Sequence, residues 1–481
     1  MAMATRPCCR EWGFFVGGEW RREGEAIEIR SPYDGSPAGV IHRPEGSDAE
    51  QAVRAAQSAF ETTRKMPAYE RQRILREISL AIEASGEEFA QLMALEAGKP
   101  IRAARAEVDR AVFTFAVAAE EATRITGEWL PFDSRPSTAR RAGIVRRFPL
   151  GPILAITPFN FPLNLVSHKV APAIAAGSSV VLKPAPQTPL CALRLAEIAA
   201  KAGLPAGALN VVPLGNQDAE RLVADDRLRL LSFTGSAAVG WALKAKAGKK
   251  KVVLELGGNA AVIVHSDADA EDAARKCVLG GFSYAGQSCI SVQRIFVHRA
   301  VEQKFTACLV RGALGLKTGN PLDEATDLGP MISEDATRRA ADSIEEAVAG
   351  GATILCGGKR EGSVLQPTVL AHTNRDMKVN CRELFAPVVV VDPYDDFDEA
   401  IERVNDSPYG LQAGVFTGQT QLLFRAFERL EVGGVIANDT SSFRIDSMPY
   451  GGVKESGLGR EGLRYAMEDM SEPRLLVLNL D

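Results

Sequence analysis

The sequence has no run of about 18 apolar residues, the length that a membrane-spanning helix needs. It also has no apolar stretch of signal-peptide length before Glu11, so we expect no secretory signal. Its 56 basic and 61 acidic residues leave a net charge of −5, without the positive excess that attracts nucleic acids or anionic membranes. We therefore expect a cytoplasmic protein whose partner is neither a nucleic acid nor a membrane.

Cysteine and histidine patterns of the usual metal sites are also missing. The eight cysteines include no C-x-x-C pair, and the five histidines form no H-E-x-x-H or H-x-H motif, so we expect no metal. A chain of 481 residues buries enough core to be stable without disulfides. Reduced thiols are then expected, and one of them is free to act as a nucleophile.

The length favours about three domains of ~150 residues each, and the apolar patterns divide the chain. Residues 46–124 have helical spacing, after a predicted hairpin at 14–20 with Gly17-Gly18 at its turn. From residue 150, short apolar runs alternate with Ala-rich helical segments, which is typical of βαβ units and a parallel sheet. A second alternating section runs from 260 to about 435. The sequence predicts an α/β fold with two parallel-sheet lobes.

Two further segments, 137–148 and 472–480, are predicted strands that fit neither lobe. Unpaired strand edges invite pairing with another chain. The alternative is a local sheet that covers the core, and the pattern alone leaves both open.

The sequence GQSC at 286–289 carries the first candidate for chemistry. A segment of small residues lets backbone N–H groups approach a substrate closely, and a thiolate attacks carbonyl carbon readily. Cys289 is therefore a candidate nucleophile, although an isolated cysteine is more often a small buried apolar residue.

Two other residues complement a nucleophile of this kind. Glu255 ends an apolar run ahead of Gly257-Gly258, and desolvation makes a carboxylate a better base for activating water. Asn160, in PFNFP at 158–162, can offer an amide N–H to an oxyanion. The alternatives are a solvated glutamate at a strand end and an asparagine that stabilises a turn. We expect the sulfur of Cys289 and the carboxylate of Glu255 to face one cavity.

The dinucleotide motif needs a strand before it and a helix after it. The only G-x-G-x-x-G, at 457–462, lies too close to the C-terminus for a βαβ unit, so we reject it. FTGS at 233–236 closes a predicted strand and opens a predicted helix whose N-terminus can hold a diphosphate. Lys183 ends another predicted strand, where its side chain can contact a cofactor ribose.

Taken together, these motifs resemble the aldehyde dehydrogenase superfamily. The resemblance rests on PFNFP, KP, FTGS, ELGG, GQSC, ELFAP and PYGGVKESGLGRE in this order, and Cys289 follows Glu255 by the 34 residues typical of the family. It implies oxidation of an aldehyde to a carboxylic acid through a thiohemiacetal and a thioester on Cys289, with hydride transfer to NAD or NADP. The chain is similar to the family from residue 16 to 478.

The resemblance also implies roles for particular residues. Cys289 is the expected nucleophile, Glu255 the base, Asn160 the oxyanion donor, and Lys169 and Glu461 a proton relay. Residues expected in the cofactor cleft are Ile156, Thr157, Pro158, Phe159, Lys183, Gly215, Phe233, Gly235, Ser236, Val239, Leu256, Gly257, Glu383 and Phe385. Residues expected around the substrate are Phe161, His168, Ser288, Ile290, Arg444 and Tyr450.

The family organisation implies domain bounds. It places 1–125 and 149–256 in a cofactor-binding domain, 257–435 in a catalytic domain, and 436–467 in a return segment that completes the active site. It places 126–148 and 468–481 in a β-arm for oligomerisation, which favours a homodimer or homotetramer.

The departures from the family pattern affect specificity. Pro186 replaces the glutamate that binds the adenosine ribose in many NAD-preferring members, so NAD and NADP both remain open. Ala386 replaces a glycine conservatively. Arg444 either grips an anionic substrate group or forms a structural pair, for instance with Asp446. Because Ser288 and Phe161 supply no further basic group, we expect a small polar, hydroxy or weakly acidic aldehyde.

Three rival functions require residues that differ from those in this sequence. A CoA-acylating semialdehyde dehydrogenase typically lacks the glutamate found here at Glu255. A non-catalytic family member typically loses the cysteine or the glutamate, and both are present. A cysteine hydrolase needs a histidine partner, and no histidine lies in a recognisable context.

Overall fold

The computed structural model describes residues 10–480 of the chain. Its first half begins with short strands and a helical block and continues into alternating strands and helices. These elements are β1 (Glu11–Trp12), β2 (Phe14–Val16), β3 (Glu19–Arg21), β4 (Glu25–Arg30), β5 (Pro37–Arg43), α1 (Gly46–Thr63), α2 (Ala68–Ala84), α3 (Gly86–Ala97), α4 (Ile101–Glu121), β6 (Glu128–Pro131), β7 (Arg141–Pro149), β8 (Ile153–Ile156), α5 (Asn164–Ala176), β9 (Val180–Lys183), α6 (Leu190–Lys201), β10 (Leu209–Val211), α7 (Asn216–Ala224), β11 (Leu230–Thr234), α8 (Ala237–Lys246) and β12 (Lys251–Glu255).

The second half repeats the alternation and ends in a long strand. Its elements are β13 (Ala261–Val264), α9 (Ala270–Phe282), β14 (Arg294–His298), α10 (Arg299–Leu314), α11 (Glu334–Ala349), β15 (Thr353–Cys356), β16 (Arg360–Glu361), β17 (Val364–Leu365), β18 (Thr368–Ala371), α12 (Lys378–Cys381), β19 (Val388–Tyr394), α13 (Phe397–Asn405), β20 (Tyr409–Gly410), β21 (Gln412–Phe416), α14 (Thr420–Arg429), β22 (Gly434–Ala437), β23 (Val453–Lys454), β24 (Gly457–Leu458), α15 (Leu463–Asp469) and β25 (Ser471–Asn479).

The first large sheet has eight strands in the order β24-β12-β11-β8-β9-β10-β2-β3, and its central five strands are parallel. Alternate residues of these strands enter two different core clusters, because helices cover both faces. Along β8, for example, Ile153 packs on one side and Leu154 on the other. The carboxyl ends of the parallel strands meet at one edge, where open α/β sheets bind ligands.

The second large sheet has seven strands in the order β15-β18-β19-β14-β13-β21-β22, and all except β15 run parallel. Its two faces are likewise buried in separate clusters. The expected α/β fold with two parallel-sheet lobes is therefore confirmed, as is the hairpin of β2 and β3, whose turn places Gly17 and Gly18 at positive φ.

A separate antiparallel sheet has the order β25-β7-β6, with β25 and β7 paired along nine residues each. The strand predicted at 137–148 begins later than expected, at Arg141. Pro136 starts a short 3-10 turn, Pro136–Thr138. This turn keeps the residues before Arg141 out of the hydrogen-bond ladder of the sheet. β25 is one residue offset from its prediction and forms an edge.

Three further small groupings join β1-β5-β4, β16-β17 and β20-β23. The rejected glycine motif contributes β24, where Gly457 packs so closely on the carbonyl of Leu254 that a Cβ would collide. Within residues 10–480, no helix is both long and apolar enough to cross a membrane.

Candidate active site

A cavity of about 260 Å³ lies where the carboxyl edge of the first sheet faces loops of the second lobe. Loops after β8, β11 and β12 form one wall, and the segment after α9 together with the loop before β19 forms another. It collects many of the candidate residues from the sequence: Pro158, Phe159, Asn160, Phe161, Gly235, Ser236, Leu256, Gly257, Ser288, Cys289, Ile290, Glu383, Phe385, Arg444 and Tyr450.

Cys289 lies on the cavity wall and is partly exposed. It follows three consecutive residues at positive φ, Tyr284, Ala285 and Gly286, of which the first two rarely adopt this conformation. Packing fixes this segment, since the Tyr284 hydroxyl donates to the Ala97 carbonyl at 2.9 Å. A Cβ on Gly286 would strike the Ala386 carbonyl. Strain of this kind is typical of functional loops.

The surroundings of the Cys289 thiol act on its ionisation in opposite directions. Burial raises the pKa of Cys289 to about 11, and nearby Glu383 and Glu255 act in the same direction. A hydrogen bond with Tyr450 and the charge of Arg444 lower this pKa. The sulfur lies 3.1 Å from the Tyr450 hydroxyl.

Asn160 is held beside the same loop. Its amide nitrogen donates to the backbone carbonyl of Gln287 at 3.0 Å, which fixes the amide two residues before Cys289. The side chain is buried, lines the cavity, and leaves its carbonyl oxygen without a partner among residues 10–480. This geometry can present the remaining amide hydrogen to an oxygen atom of a bound carbonyl compound.

Glu255 corrects one expectation. It ends β12 and is buried, but its carboxylate does not line the cavity with Cys289; it packs against Gly451. Neither of its oxygens has a hydrogen-bond partner in the described part of the chain. Burial, reinforced by the negative charge of Glu461, raises the pKa of Glu255 well above its ordinary value.

A buried charge cluster lies next to Glu255. The Lys169 ammonium donates to Ser232 at 3.0 Å and to Glu461 at 3.3 Å, so the two expected relay residues are in contact. The Arg444 guanidinium donates to the other Glu461 oxygen at 2.9 Å. Burial opposes ionisation of Glu461, but Lys169, His168 and Arg444 outweigh it and lower its pKa to about 2.

His168 is also placed differently from its expected role at the substrate. It is fully buried on α5 behind Arg444, outside the cavity lining, because its ring pairs with Asp446 at 2.7 Å. Its other ring nitrogen accepts from Arg444 at 3.4 Å. The Arg444–Asp446 pair, one of the alternatives from the sequence, is not formed. Arg444 pairs with Glu461 instead. Asp446 pairs with His168 and Arg110. His168 therefore positions charged residues and does not face a ligand.

Arg110 is a site residue that the sequence reasoning missed. It lies on α4, lines the cavity, and donates to Asp446 at 2.7 Å and 3.2 Å. The cavity thus has two guanidinium groups, and the Nε–H of Arg444 is buried without a partner in residues 10–480. Arg110 has helical spacing like its neighbours and belongs to no motif, so no signal in the sequence marked it.

Most of the expected cofactor residues lie along the carboxyl edge of the first sheet, whereas Glu383 and Phe385 lie opposite, in the loop before β19. Ile156, Lys183 and Thr234 end β8, β9 and β11, and Gly215 and Ser236 precede the N-termini of α7 and α8. Lys183 donates to Asn216 at 3.3 Å, and burial lowers the pKa of Lys183 to about 8. Members outside the cavity lining, though on the same edge, are Ile156, Thr157, Lys183, Gly215, Phe233 and Val239.

This edge fits a dinucleotide. The hydroxyls of Thr157 and Thr234 are buried and unpartnered within the described chain, and two helix N-termini offer free N–H groups. Glu383 accepts from the Gly258 N–H at 2.9 Å, and burial raises the pKa of Glu383 to about 7. Phe385 meets Phe159 edge-on, with ring centroids 5.8 Å apart.

An adjoining cavity of about 280 Å³ shares Phe159, Glu383 and Phe385 with the first. Three cations that the sequence reasoning also missed line it: Arg339, Lys378 and Arg382. They lie on α11, on α12 and directly after α12, so only the packing of these elements shows their proximity. No three metal-binding side chains cluster anywhere between residues 10 and 480.

Comparison with known proteins gives matches along nearly the whole chain. The sequence pattern of the aldehyde dehydrogenase family matches residues 20–476. A 3-sulfolactaldehyde dehydrogenase of Priestia aryabhattai is 47% identical over 99% of this chain and 100% of its own.

Solved structures match equally well. Aldehyde dehydrogenase 21 of Physcomitrella patens, in complex with its product succinate, has a TM-score of 0.96 and 43% identity, covering 98% of this chain and 99% of that one. A glyceraldehyde-3-phosphate dehydrogenase of Methanocaldococcus jannaschii, in complex with NADP, has a TM-score of 0.91 and 39% identity, covering 95% and 99%.

Proposed function

Because the chain belongs to the aldehyde dehydrogenase family, we propose that its cavity oxidises aldehydes with Cys289 as the nucleophile. The protein is an NAD(P)-dependent aldehyde dehydrogenase that forms a carboxylic acid. The observation that carries the proposal is the thiol of Cys289 on the cavity wall, beside an Asn160 amide fixed to its loop.

The chemistry proceeds through two covalent states of Cys289. The thiolate adds to the carbonyl carbon, and the carbonyl oxygen takes the negative charge beside the Asn160 amide, worth about 3 kcal/mol in the transition state. NAD or NADP, which Thr157 and Ser236 would hold at the carboxyl edge of the first sheet and Glu383 from the opposite side, would supply the oxidising power by taking the hydrogen of this carbon as hydride. The carbonyl bond re-forms to give a thioester, and addition of water then breaks the carbon–sulfur bond, releasing acid and thiolate.

Glu255 is the proposed base for the second stage. Its raised pKa makes the ionised carboxylate a strong proton acceptor from water. Since neither oxygen is hydrogen-bonded within residues 10–480, the side chain can rotate toward Cys289 without breaking a hydrogen bond. Lys169 and Glu461 then lie next to it as a route for the released proton.

We propose a short aldehyde with a carboxylate or sulfonate at its far end as the substrate. Arg110 and Arg444 line the same cavity as Cys289, and a guanidinium binds such oxyanions bidentately. The relatives support this choice, since one is a 3-sulfolactaldehyde dehydrogenase and another holds succinate. This narrows the sequence-based expectation of a small polar, hydroxy or weakly acidic aldehyde, which was made without a second basic residue besides Arg444.

The cofactor choice between NAD and NADP depends on the adenosine end. Pro186 is exposed after β9 and places no carboxylate where it would repel a 2′-phosphate. Lys183 offers a cation there, and a similar structure holds NADP. We propose that the chain accepts NADP.

The two large sheets support a division into a cofactor domain and a catalytic domain. We propose 1–125 and 149–256 as the cofactor domain, 257–435 as the catalytic domain and 436–467 as the return segment. Residues 126–148 and 468–481 form the proposed oligomerisation arm, and a cytoplasmic homo-oligomer remains our prediction.

The test is steady-state oxidation of succinic semialdehyde, lactaldehyde and propanal, with NAD and with NADP, by the full-length protein and Cys289→Ser. We expect reduced nicotinamide from the parent and none from Cys289→Ser. Cys308→Ala, which removes another partly exposed thiol, is the matched control and keeps full activity. Turnover by Cys289→Ser would refute the nucleophile, and a strict requirement for CoA would favour the acylating alternative.

A further inference from the structure

The phenol of Tyr450 is the hydrogen-bond partner of the Cys289 sulfur, at 3.1 Å. We propose that Tyr450 is a catalytic residue that donates its hydroxyl hydrogen to the Cys289 thiolate, with Arg444 stacked on its ring. The inference rests on the proposed function, since it concerns the activation of the same nucleophile. It adds a second role to Tyr450 beyond lining the substrate cavity.

The direction of this hydrogen bond follows from burial. Tyr450 is almost fully buried, and burial raises the pKa of its phenol well above the ordinary value. The negative charges of Cys289 and Glu255 act in the same direction, whereas the charge of Arg444 acts against them and lowers this pKa. The phenol therefore keeps its proton when the thiol ionises, and the thiolate can only accept.

Tyr450 is held rigidly enough to serve this purpose. Its backbone exchanges two hydrogen bonds with Glu461, at 3.0 Å and 2.6 Å. The guanidinium of Arg444 lies 3.6 Å from its ring centroid, and Arg444 is itself fixed by Glu461. A cation over the ring draws electron density from the phenol, which makes its O–H a stronger donor.

Four groups act on the charge of Cys289 from the elements around it. Tyr450 and Arg444 favour the thiolate, whereas Glu383 and Glu255 oppose it, as does burial. Among residues 10–480, Tyr450 is the only hydrogen-bond partner of the sulfur. Loss of its hydroxyl therefore removes the direct hydrogen bond that stabilises the thiolate, and leaves the charge of Arg444 as the remaining favourable influence.

The experiment measures alkylation of Cys289 by iodoacetamide between pH 7 and 9.5, by mass spectrometry of the peptide that contains it. Because the thiolate is the reactive form, the rate reports its population. In Tyr450→Phe we expect the Cys289 rate to fall about tenfold at each pH, as expected for a lost hydrogen bond to an ionised group. The Cys308 peptide of the same sample gives an internal reference.

Tyr394→Phe is the matched control, since it removes a buried hydroxyl that bonds His265, outside the cavity lining. We expect it to alkylate at the parental rate. If Cys289 in Tyr450→Phe is alkylated at the parental rate, the inference is wrong. This holds even if the KM of that variant for a hydroxyaldehyde rises. Cys289→Ser separates the two claims: turnover by that variant refutes the nucleophile, whereas a normal rate in Tyr450→Phe refutes only the role of Tyr450.

Discussion

At the scale of single residues, two guanidinium groups line the cavity. Arg110 and Arg444 both have carboxylate partners, yet Arg444 keeps one buried N–H unpaired in residues 10–480. Paired guanidinium groups remain oriented and lose little freedom when a ligand arrives. This arrangement favours recognition of an anion at a fixed distance from the reacting carbon.

Replacing Arg110 by Met tests this recognition. We expect kcat/KM for succinic semialdehyde to fall about 10- to 100-fold, because a hydrogen bond to a charged group is lost, while kcat/KM for propanal stays within about twofold. Arg105→Met, on the exposed side of the same helix, is the control. Equal losses for both aldehydes would show that Arg110 acts only through Asp446.

Introducing Glu at Pro186 tests the adenosine end. A carboxylate there repels a 2′-phosphate and accepts from ribose hydroxyls, so we expect the NAD to NADP ratio of kcat/KM to rise about tenfold or more. Gln187→Glu adds the same charge one residue later on the same exposed turn. If the two variants behave alike, net charge and not position sets the preference.

At this scale the sequence predicted residues that belong to motifs, and missed those that do not. The motifs containing Asn160 and Cys289 predicted two groups that share the cavity. Arg110 lies on an ordinary helical face far from Cys289 in the chain, so only tertiary packing reveals it. The position of the Glu255 carboxylate, beside Gly451 and near the charges of Glu461, Arg444 and Lys169, likewise depends on tertiary packing that no local pattern encodes.

Among the elements, α5 has an N-terminus that is tied to a buried ion pair. Glu107 on α4 accepts from the N–H groups of Leu163 and Asn164, each at 3.0 Å, and pairs with Lys99. The Lys99 ammonium lies 3.9 Å from the ring centroid of Phe161. This pair therefore fixes the loop that carries Asn160 into the cavity.

Breaking the pair should cost stability. We expect Lys99→Met or Glu107→Gln each to lower the free energy of unfolding by about 3 kcal/mol, because a buried partner is left uncompensated. The double variant should lose less than the sum of the two. Glu87→Gln, from an exposed pair with Arg105, is the control, and urea titration is the measurement. Additive losses would mean that the two residues act independently.

Helices and strands followed from periodicity far better than loops did. The apolar runs after residue 150 predicted parallel strands, because both faces of each of these strands are buried. The three positive-φ residues before Cys289 were not predictable, because Tyr284 and Ala285 have no preference for that conformation. Tertiary contacts to Ala97 and Ala386 impose it.

In the whole molecule, β25 is an edge strand with apolar side chains on both sides. Leu475, Leu476 and Val477 are 54%, 56% and 50% exposed, although successive residues point to opposite faces. A three-stranded sheet whose edge strand exposes apolar side chains on both faces is suited to burial against another copy of the chain.

We expect Leu476→Asp to lower the molecular mass of the protein assembly in solution, measured by sedimentation velocity. A buried charge at an interface is unfavourable, so the assembly should dissociate into smaller species. Leu314→Asp, at an exposed helix end, should leave the mass unchanged. An unaltered mass in Leu476→Asp would place the interface elsewhere.

The measurement closest to the central claim is the intact mass of Glu255→Gln after mixing with NADP and an aldehyde that the parent oxidises. If Cys289 carries the acyl group and Glu255 activates the water that removes it, the variant gives one rapid equivalent of reduced nicotinamide and gains the mass of the acyl group on the Cys289 peptide. Parental turnover by Glu255→Gln, with no mass added at Cys289, would contradict the account.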